Sequence, residues 1–264
     1  MNTITTSLQY DSDRERDFSN TNPNKDYWDN IYIDYKYTVD GVHRYRKHDI
    51  MTRDNKIACF GCSNTYGIGL PINWTWPDLL TQKIGTETHS INNYGVNGGS
   101  TETIARLVFE KLYVKRENYD AVFVLFPDYF RYEYIDSKAI SVNLIPYNYV
   151  LDESGKTKML PLDFVHAATI SYSFFRFVKS YKLIKEICNN RKIPFYWYSW
   201  SDNITAIDSD TLQLYFDIDN TLSEDDNNTL KKLNITSKAR DNAHIGVEYS
   251  QKLADCFYQL FKKR

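Results

Sequence analysis

Three short stretches of this chain hold groups of the kinds that acyl transfer uses. The first, Phe60-Gly61-Cys62-Ser63-Asn64-Thr65-Tyr66-Gly67, ends an apolar run and sets a serine in a turn of small residues. A strand-to-helix turn of this kind holds the hydroxyl exposed, and the serine's own N–H, near a helix N-terminus, can face a developing oxyanion. By itself Ser63 reads more readily as a helix cap. The second stretch, Asn93-Tyr94-Gly95-Val96-Asn97-Gly98-Gly99-Ser100-Thr101, gathers glycines that let backbone N–H groups approach a ligand with no side chain in the way. Alone it reads as a tight turn with Ser100 or Thr101 capping the next helix. The third, Asp241-Asn242-Ala243-His244, sets a carboxylate one turn of chain before an imidazole. The carboxylate can hold Nδ1–H, leaving Nε2 to take a proton from a serine hydroxyl. In isolation Asp241 is a cap for the last helix and His244 a surface residue.

A fourth candidate is the Cys59/Cys62 pair, which has CxxC spacing. Redox use would want the pair at a helix start beside groups that lower a thiol pKa. Cys59 instead lies inside the apolar run Ile57–Phe60 and is expected in the core. No second CxxC completes a zinc site.

The elements that must carry these groups follow from hydrophobic periodicity. Short apolar runs at Ile57–Phe60, from Thr88 to Asn93, at Ala121–Phe126 and from Pro194 to Tyr198 read as strands, that at Ala121–Phe126 being the clearest buried one. Between them the spacing predicts helices over Thr101–Val114 (Ile104, Leu107, Val108, Leu112 on one face) and Ala167–Ile187 (Phe174, Phe177, Leu183, Ile184, Ile187). A third, Gly246–Phe261, aligns Tyr249, Leu253, Phe257 and Leu260. This alternation implies β-α-β units and a mostly parallel sheet covered on both faces, with reacting groups at the C-terminal ends of its strands. Residues 1 to about 30 read as a tail or loosely attached arm, and Tyr32, Tyr35, Tyr37 and Val39 alternate as an edge strand or lid would. The domain reading is an N-terminal arm or accessory segment over 1–55 and a catalytic domain over 56–264. The polar stretches 128–165 and 201–240 read as insertions.

In order and position these blocks resemble the GDSL/SGNH hydrolase family, whose blocks are a Gly-Asp-Ser turn, an Asn-x-x-x-x-Gly loop, a Gly-x-Asn-Asp loop and a late Asp-x-x-His. The resemblance covers roughly residues 56 to 260, and its first and last blocks are the most specific. It implies a flavodoxin-like three-layer α/β/α sandwich with Ser63 as nucleophile, in a Gly-Cys-Ser turn. It also implies Gly98 as a backbone oxyanion donor, with Asp241 and His244 as the remaining catalytic pair. The third block departs. Phe126-Pro127-Asp128-Tyr129-Phe130-Arg131 puts Pro127 where the family has its oxyanion asparagine, and proline has no N–H to give. Loss of one such donor costs about 10²–10³-fold in turnover. Asn97 is a substitute by proximity in sequence. Arg131 is a candidate to bind an anionic substrate or stabilise charge, its plain alternative being a surface salt bridge.

The function so implied is a serine esterase working through an acyl-serine, with no metal or organic cofactor. The expected partner is a small-molecule or carbohydrate ester. Trp74 and Trp76, just beyond the first block, are offered as a sugar-stacking platform for an O-acetylated carbohydrate, against the plain alternative that they pack the core. An O-acyltransferase with the same triad and a catalytically silent binding module are the alternatives. A formal net charge of −2, with basic and acidic residues interspersed, gives no stripe for nucleic acid. The polar first 18 residues, with Asp11, Asp13 and Glu15, lack a signal peptide's apolar core, and no run approaches the roughly 18 apolar residues of a membrane span, so a soluble protein is expected. The sequence carries no signal of oligomeric state.

Overall fold

The computed structural model describes residues 25–33, 35, 37–40, 43–46, 53–135, 141–144, 150–151, 157–158, 170–200, 238–242 and 244–263. The chain runs from a short helix α1 (Lys25–Asp29) into the antiparallel pair β1 (Tyr37–Asp40) and β2 (His43–Arg46). Strand β3 (Asn55–Gly61) follows, then the one-turn helix α2 (Ser63–Tyr66), helix α3 (Trp76–Ile84) and strand β4 (His89–Gly95). Helix α4 (Thr101–Val108) widens into a π-helical segment over Phe109–Val114 before β5 (Ala121–Phe126). Two small antiparallel pairs come next, β6 (Tyr132–Ile135) with β7 (Ser141–Leu144) and β8 (Val150–Leu151) with β9 (Thr157–Lys158). Helix α5 (Ile170–Asn190), strand β10 (Phe195–Ser199) and helix α6 (Val247–Lys262) complete it.

The central sheet is parallel throughout, in the order β10-β5-β3-β4. Ile57 lies opposite Ile91 on one side and Ala121 on the other, and Val122 lies opposite Phe195. All six residues of β5 are buried, as a strand covered on both faces requires. Its side chains divide by alternation. Val122, Val124 and Phe126 join Ala58 and Phe60 against Ile104, Leu107, Phe177, Tyr181 and Ile184 of α4 and α5. Ala121, Phe123 and Leu125 join Ile57 and Cys59 against Trp76, Leu80, Leu253 and Phe257 of α3 and α6. Two apolar layers, one on each face, define the three-layer α/β/α sandwich.

The four expected strands and three expected helices are present. Ala167–Thr169 lie outside the described residues. Leu183, expected on the core face of α5, is instead 43% exposed, because Ile184, one residue and about 100° further round, takes the core position. Helix α3 was not expected. Its nine residues are too few for a clear period, and Trp76 anchors it as core: the indole is fully buried, stacks on Phe257 at 4.8 Å and donates from Nε1 to Thr65 Oγ1 at 3.3 Å.

The edge strand expected from Tyr32 to Val39 is not part of the central sheet. β1 pairs with β2 in a sheet of its own. Of the expected 1–30 arm, residues 25–30 are described, and Tyr27 there is 54% exposed. Trp28 is buried with Leu70 and Ala239. Residues 1–24 and 201–237 lie outside the described residues.

Two backbones approach closely where β4 ends. A methyl group on Gly95 would overlap the Tyr66 amide nitrogen of α2. Neither backbone can yield without shifting its element. Gly95→Ala is therefore expected to lower stability by about 1–3 kcal/mol, the range for overpacking a filled site, read as a lower denaturant midpoint with an unchanged slope.

Candidate functional site

Ser63 occupies the first position of α2, directly beyond the C-terminal end of β3. The helix N-cap is Cys62, with no side-chain cap bond, so Ser63 is not the cap its sequence context allowed. At the first helical position its N–H has no intrahelical acceptor. The hydroxyl was expected to be exposed. Ser63 is instead only 3% exposed, and its Oγ donates weakly to Cys62 Sγ at 4.0 Å. Segments packed on its two neighbours account for this. Trp200 Nε1 donates to Cys62 Sγ at 3.3 Å, and Asn64 Oδ1 accepts from the Ile245 N–H at 3.5 Å.

The second of these bonds brings the late block to the early one. Asp241 is buried, with one carboxylate oxygen accepting the His244 N–H at 3.0 Å and the other bonded to His244 Nδ1. His244 keeps a fifth of its side chain exposed. Asp241 does not cap α6, whose N-cap is Gly246 without a side-chain bond. The Arg240 N–H donates to Gly69 O at 3.1 Å, so both sides of the Asp241–His244 turn are tied to the Ser63 segment. Ser63 and His244 are not hydrogen-bonded to each other among the described residues.

The glycine loop ends β4. Gly99 N–H closes on Val96 O at 2.9 Å, with Gly98 at φ +74°, the left-handed third position that a type II turn reserves for glycine. The Gly98 N–H has no backbone acceptor among the described residues. Ser100 is a cap, as its plain reading held: its Oγ accepts the Thr103 N–H at 3.2 Å, and its own N–H donates to Thr103 Oγ1 at 3.2 Å. Asn97 is exposed at the turn corner and makes no hydrogen bond to the Ser63 turn among the described residues.

Pro127 is buried at the end of β5. Beyond it the Asp128 carboxylate accepts the Phe130 N–H at 2.9 Å and its carbonyl accepts the Arg131 N–H at 3.2 Å, turning the chain so that the Arg131 guanidinium stands 5.1 Å from the centre of the Trp200 ring. Of the offered sugar platform, Trp76 is unavailable, being core, and Trp74 is half-buried against Trp28.

Cys59 is in the core as expected, and burial pushes its thiol well above the usual range, away from the thiolate needed for attack. Cys62 is also fully buried. Among the described residues no group of three or more His, Cys, Asp or Glu is placed to hold a metal, and no helix is long and apolar enough to cross a membrane.

Three further residues support the Ser63 turn. Asn93, buried, donates from Nδ2 to Thr65 O at 2.8 Å and accepts the Gly95 N–H on Oδ1 at 2.9 Å, locking α2 to β4. Arg46 of β2, 2% exposed, donates from Nη1 to Gly67 O at 2.5 Å, and Tyr35 accepts the Gly69 N–H at 2.8 Å. Asn93 stood at the head of the glycine motif, but Arg46 sits in a His-Arg-Tyr-Arg run indistinguishable from surface charge.

No protein-family profile matches this chain, and no curated protein matches it in sequence. Solved structures resemble it in fold. A lipase, Lip_vut3, from a goat rumen metagenome is 11% identical, over 78% of this chain and 97% of that one, with a TM-score of 0.50. A member of the lipolytic G-D-S-L family from Veillonella parvula is 15% identical over 79% and 99% of the two chains, with a TM-score of 0.45. A carbohydrate acetylesterase family member from Sinorhizobium meliloti is 12% identical over 79% and 98%, also with a TM-score of 0.45. At such identities the likeness concerns the fold. The fold shared with that lipase is a flavodoxin-like α/β/α sandwich.

Asn93→Ala removes two buried hydrogen bonds and leaves the Gly95 N–H and one acceptor position on Thr65 O unsatisfied. The expected loss is about 2–4 kcal/mol of unfolding free energy, measured by urea titration.

Proposed function

We propose that this chain is a serine esterase in which Ser63 is the nucleophile, His244 the general base and Asp241 the group that orients the imidazole. The observation that supports this most is the tie between two segments far apart in sequence. The residue after Ser63 accepts a hydrogen bond from the residue after His244, while His244 Nδ1 is already held by a buried carboxylate.

In this reading His244 Nε2 takes the Ser63 proton as Oγ attacks the ester carbonyl. Asp241 fixes the tautomer and stabilises the imidazolium. The N–H groups of Ser63 and Gly98 receive the oxyanion. The protonated imidazole then gives its proton to the leaving alcohol, the acyl-serine remains, and water deprotonated by His244 releases the acid. Reaction needs Ser63 Oγ to leave Cys62 Sγ and hydrogen-bond His244 Nε2. Asn97 and Arg131 are assigned to substrate binding, Arg131 with the better support from its place beside Trp200. The substrate class is a small-molecule or carbohydrate ester. With Trp76 in the core, the aromatic surface for a sugar would be Trp200 rather than the Trp74/Trp76 pair.

One observation favours a second reading, a silent binding module that keeps the fold: Pro127 leaves one oxyanion donor without a replacement among the described residues. Hydrolysis of p-nitrophenyl acetate separates the two. The wild type is expected to exceed Ser63→Ala by at least about 10³-fold, and Asp241→Asn to lose about 10³–10⁴-fold in kcat. Equal background rates for wild type and Ser63→Ala support the silent module.

A further inference from the structure

Among the arginines that support the fold, Arg46, Arg106, Arg176 and Arg191 each give N–H groups to oxygen. Arg46 donates to Gly67 O, Arg106 to Glu133, Arg176 to Glu102 and Arg191 to Asn118 Oδ1. Arg131 differs. Its Nη1 is buried with no hydrogen-bond partner among the described residues, and its guanidinium lies on the Trp200 ring with 5.1 Å between carbon and ring centre. A guanidinium is always charged and offers five donors in a planar fork, so a buried N–H without an acceptor is a cost to the free protein. An anion that fills the fork removes that cost.

The position of this cation is not arbitrary. Arg131 is held by the Asp128 turn beyond the C-terminal end of β5, and Trp200 directly follows β10. The same indole donates from Nε1 to Sγ of Cys62, the residue before Ser63. The ends of three adjacent strands thus set a cation, an aromatic plane and the Ser63 turn in a row, with the cation one indole away from the turn.

We infer that Arg131 and Trp200 form a subsite for an oxyanion carried by the substrate, so that the esters cleaved at Ser63 bear a carboxylate, phosphate or sulfate displaced from the scissile carbonyl by about the width of an indole. The charge sits either on the acyl group or on the alcohol. A planar, bidentate fork stacked on an aromatic ring suits such a group better than it suits a neutral hydroxyl. The inference rests on the esterase reading of Ser63 and narrows its substrates.

Two pairs of esters test it. 4-Acetoxybenzoate and its methyl ester carry or lack the charge on the alcohol side; monophenyl terephthalate and its methyl ester do so on the acyl side. Each kcat/KM is divided by the ester's own hydroxide rate. In one pair the wild type is expected to favour the anion by about tenfold or more, and Arg131→Gln to erase that preference, as a lost charge-assisted pair should. In parallel, calorimetry measures binding of both anionic esters to Ser63→Ala and to Ser63→Ala/Arg131→Gln, with about tenfold weaker binding of the favoured ester expected in the second. The subsite is overturned if the wild type treats charged and neutral esters alike, or if Arg131→Gln slows both members of a pair equally. If the wild type turns over none of the four, the esterase reading has failed, and calorimetry alone judges the subsite: affinities that do not depend on Arg131, or no binding, overturn it.

Discussion

Two hydrogen bonds, Arg240 N–H to Gly69 O and Ile245 N–H to Asn64 Oδ1, join the turn after the first central strand to the turn before the last helix. Everything proposed at the site depends on that seam, because it ties the segment that carries Asp241 and His244 to the segment that carries Ser63. The approach is sterically demanding. Gly69 sits at φ +75°, and a methyl group on it would lie 2.8 Å from Ala239 Cβ. Bringing together ends separated by so much chain costs entropy that grows only slowly with length. The sheet and its two apolar layers repay it before the seam adds anything. The seam therefore specifies register more than it supplies stability.

The residues behind the turn explain why it can be held so closely. Asn93 fastens α2 to β4 from below, and Arg46 and Tyr35 hold the carbonyl of Gly67 and the N–H of Gly69 from the side of the β1–β2 pair. Part of the N-terminal segment thus acts as a brace for the loop that carries the seam. The Arg46 guanidinium also lies 4.6 Å from the centre of the Tyr35 ring, so the two braces support each other.

The strands and long helices were legible in the sequence because they obey simple periods. Ala121–Phe126 is apolar at every position, and Ile104, Leu107, Val108 and Leu112 fall on one helical face and are all fully buried. The candidate blocks were legible for a different reason: Ser63, Gly98, Asp241 and His244 stand in short motifs whose order resembles that of a known family. Asp241 and His244 are paired, and Gly98 has the positive φ that its turn needs. What was not legible depends on contacts between distant segments. Trp76 looks like a surface platform until α6 supplies Phe257 to stack on it. Ser63 looks exposed until Trp200 and Ile245 pack on its neighbours. Arg131 looks like any surface cation until β10 delivers an indole beneath it.

A serine activated by a histidine reacts with phosphonates, whereas an ordinary buried serine does not. Incubation with a fluorophosphonate, followed by peptide mass spectrometry, tests the account most directly. It predicts a single adduct on Ser63, formed at least about 10²-fold more slowly in His244→Ala. An unmodified Ser63, or a rate indifferent to His244, would contradict it.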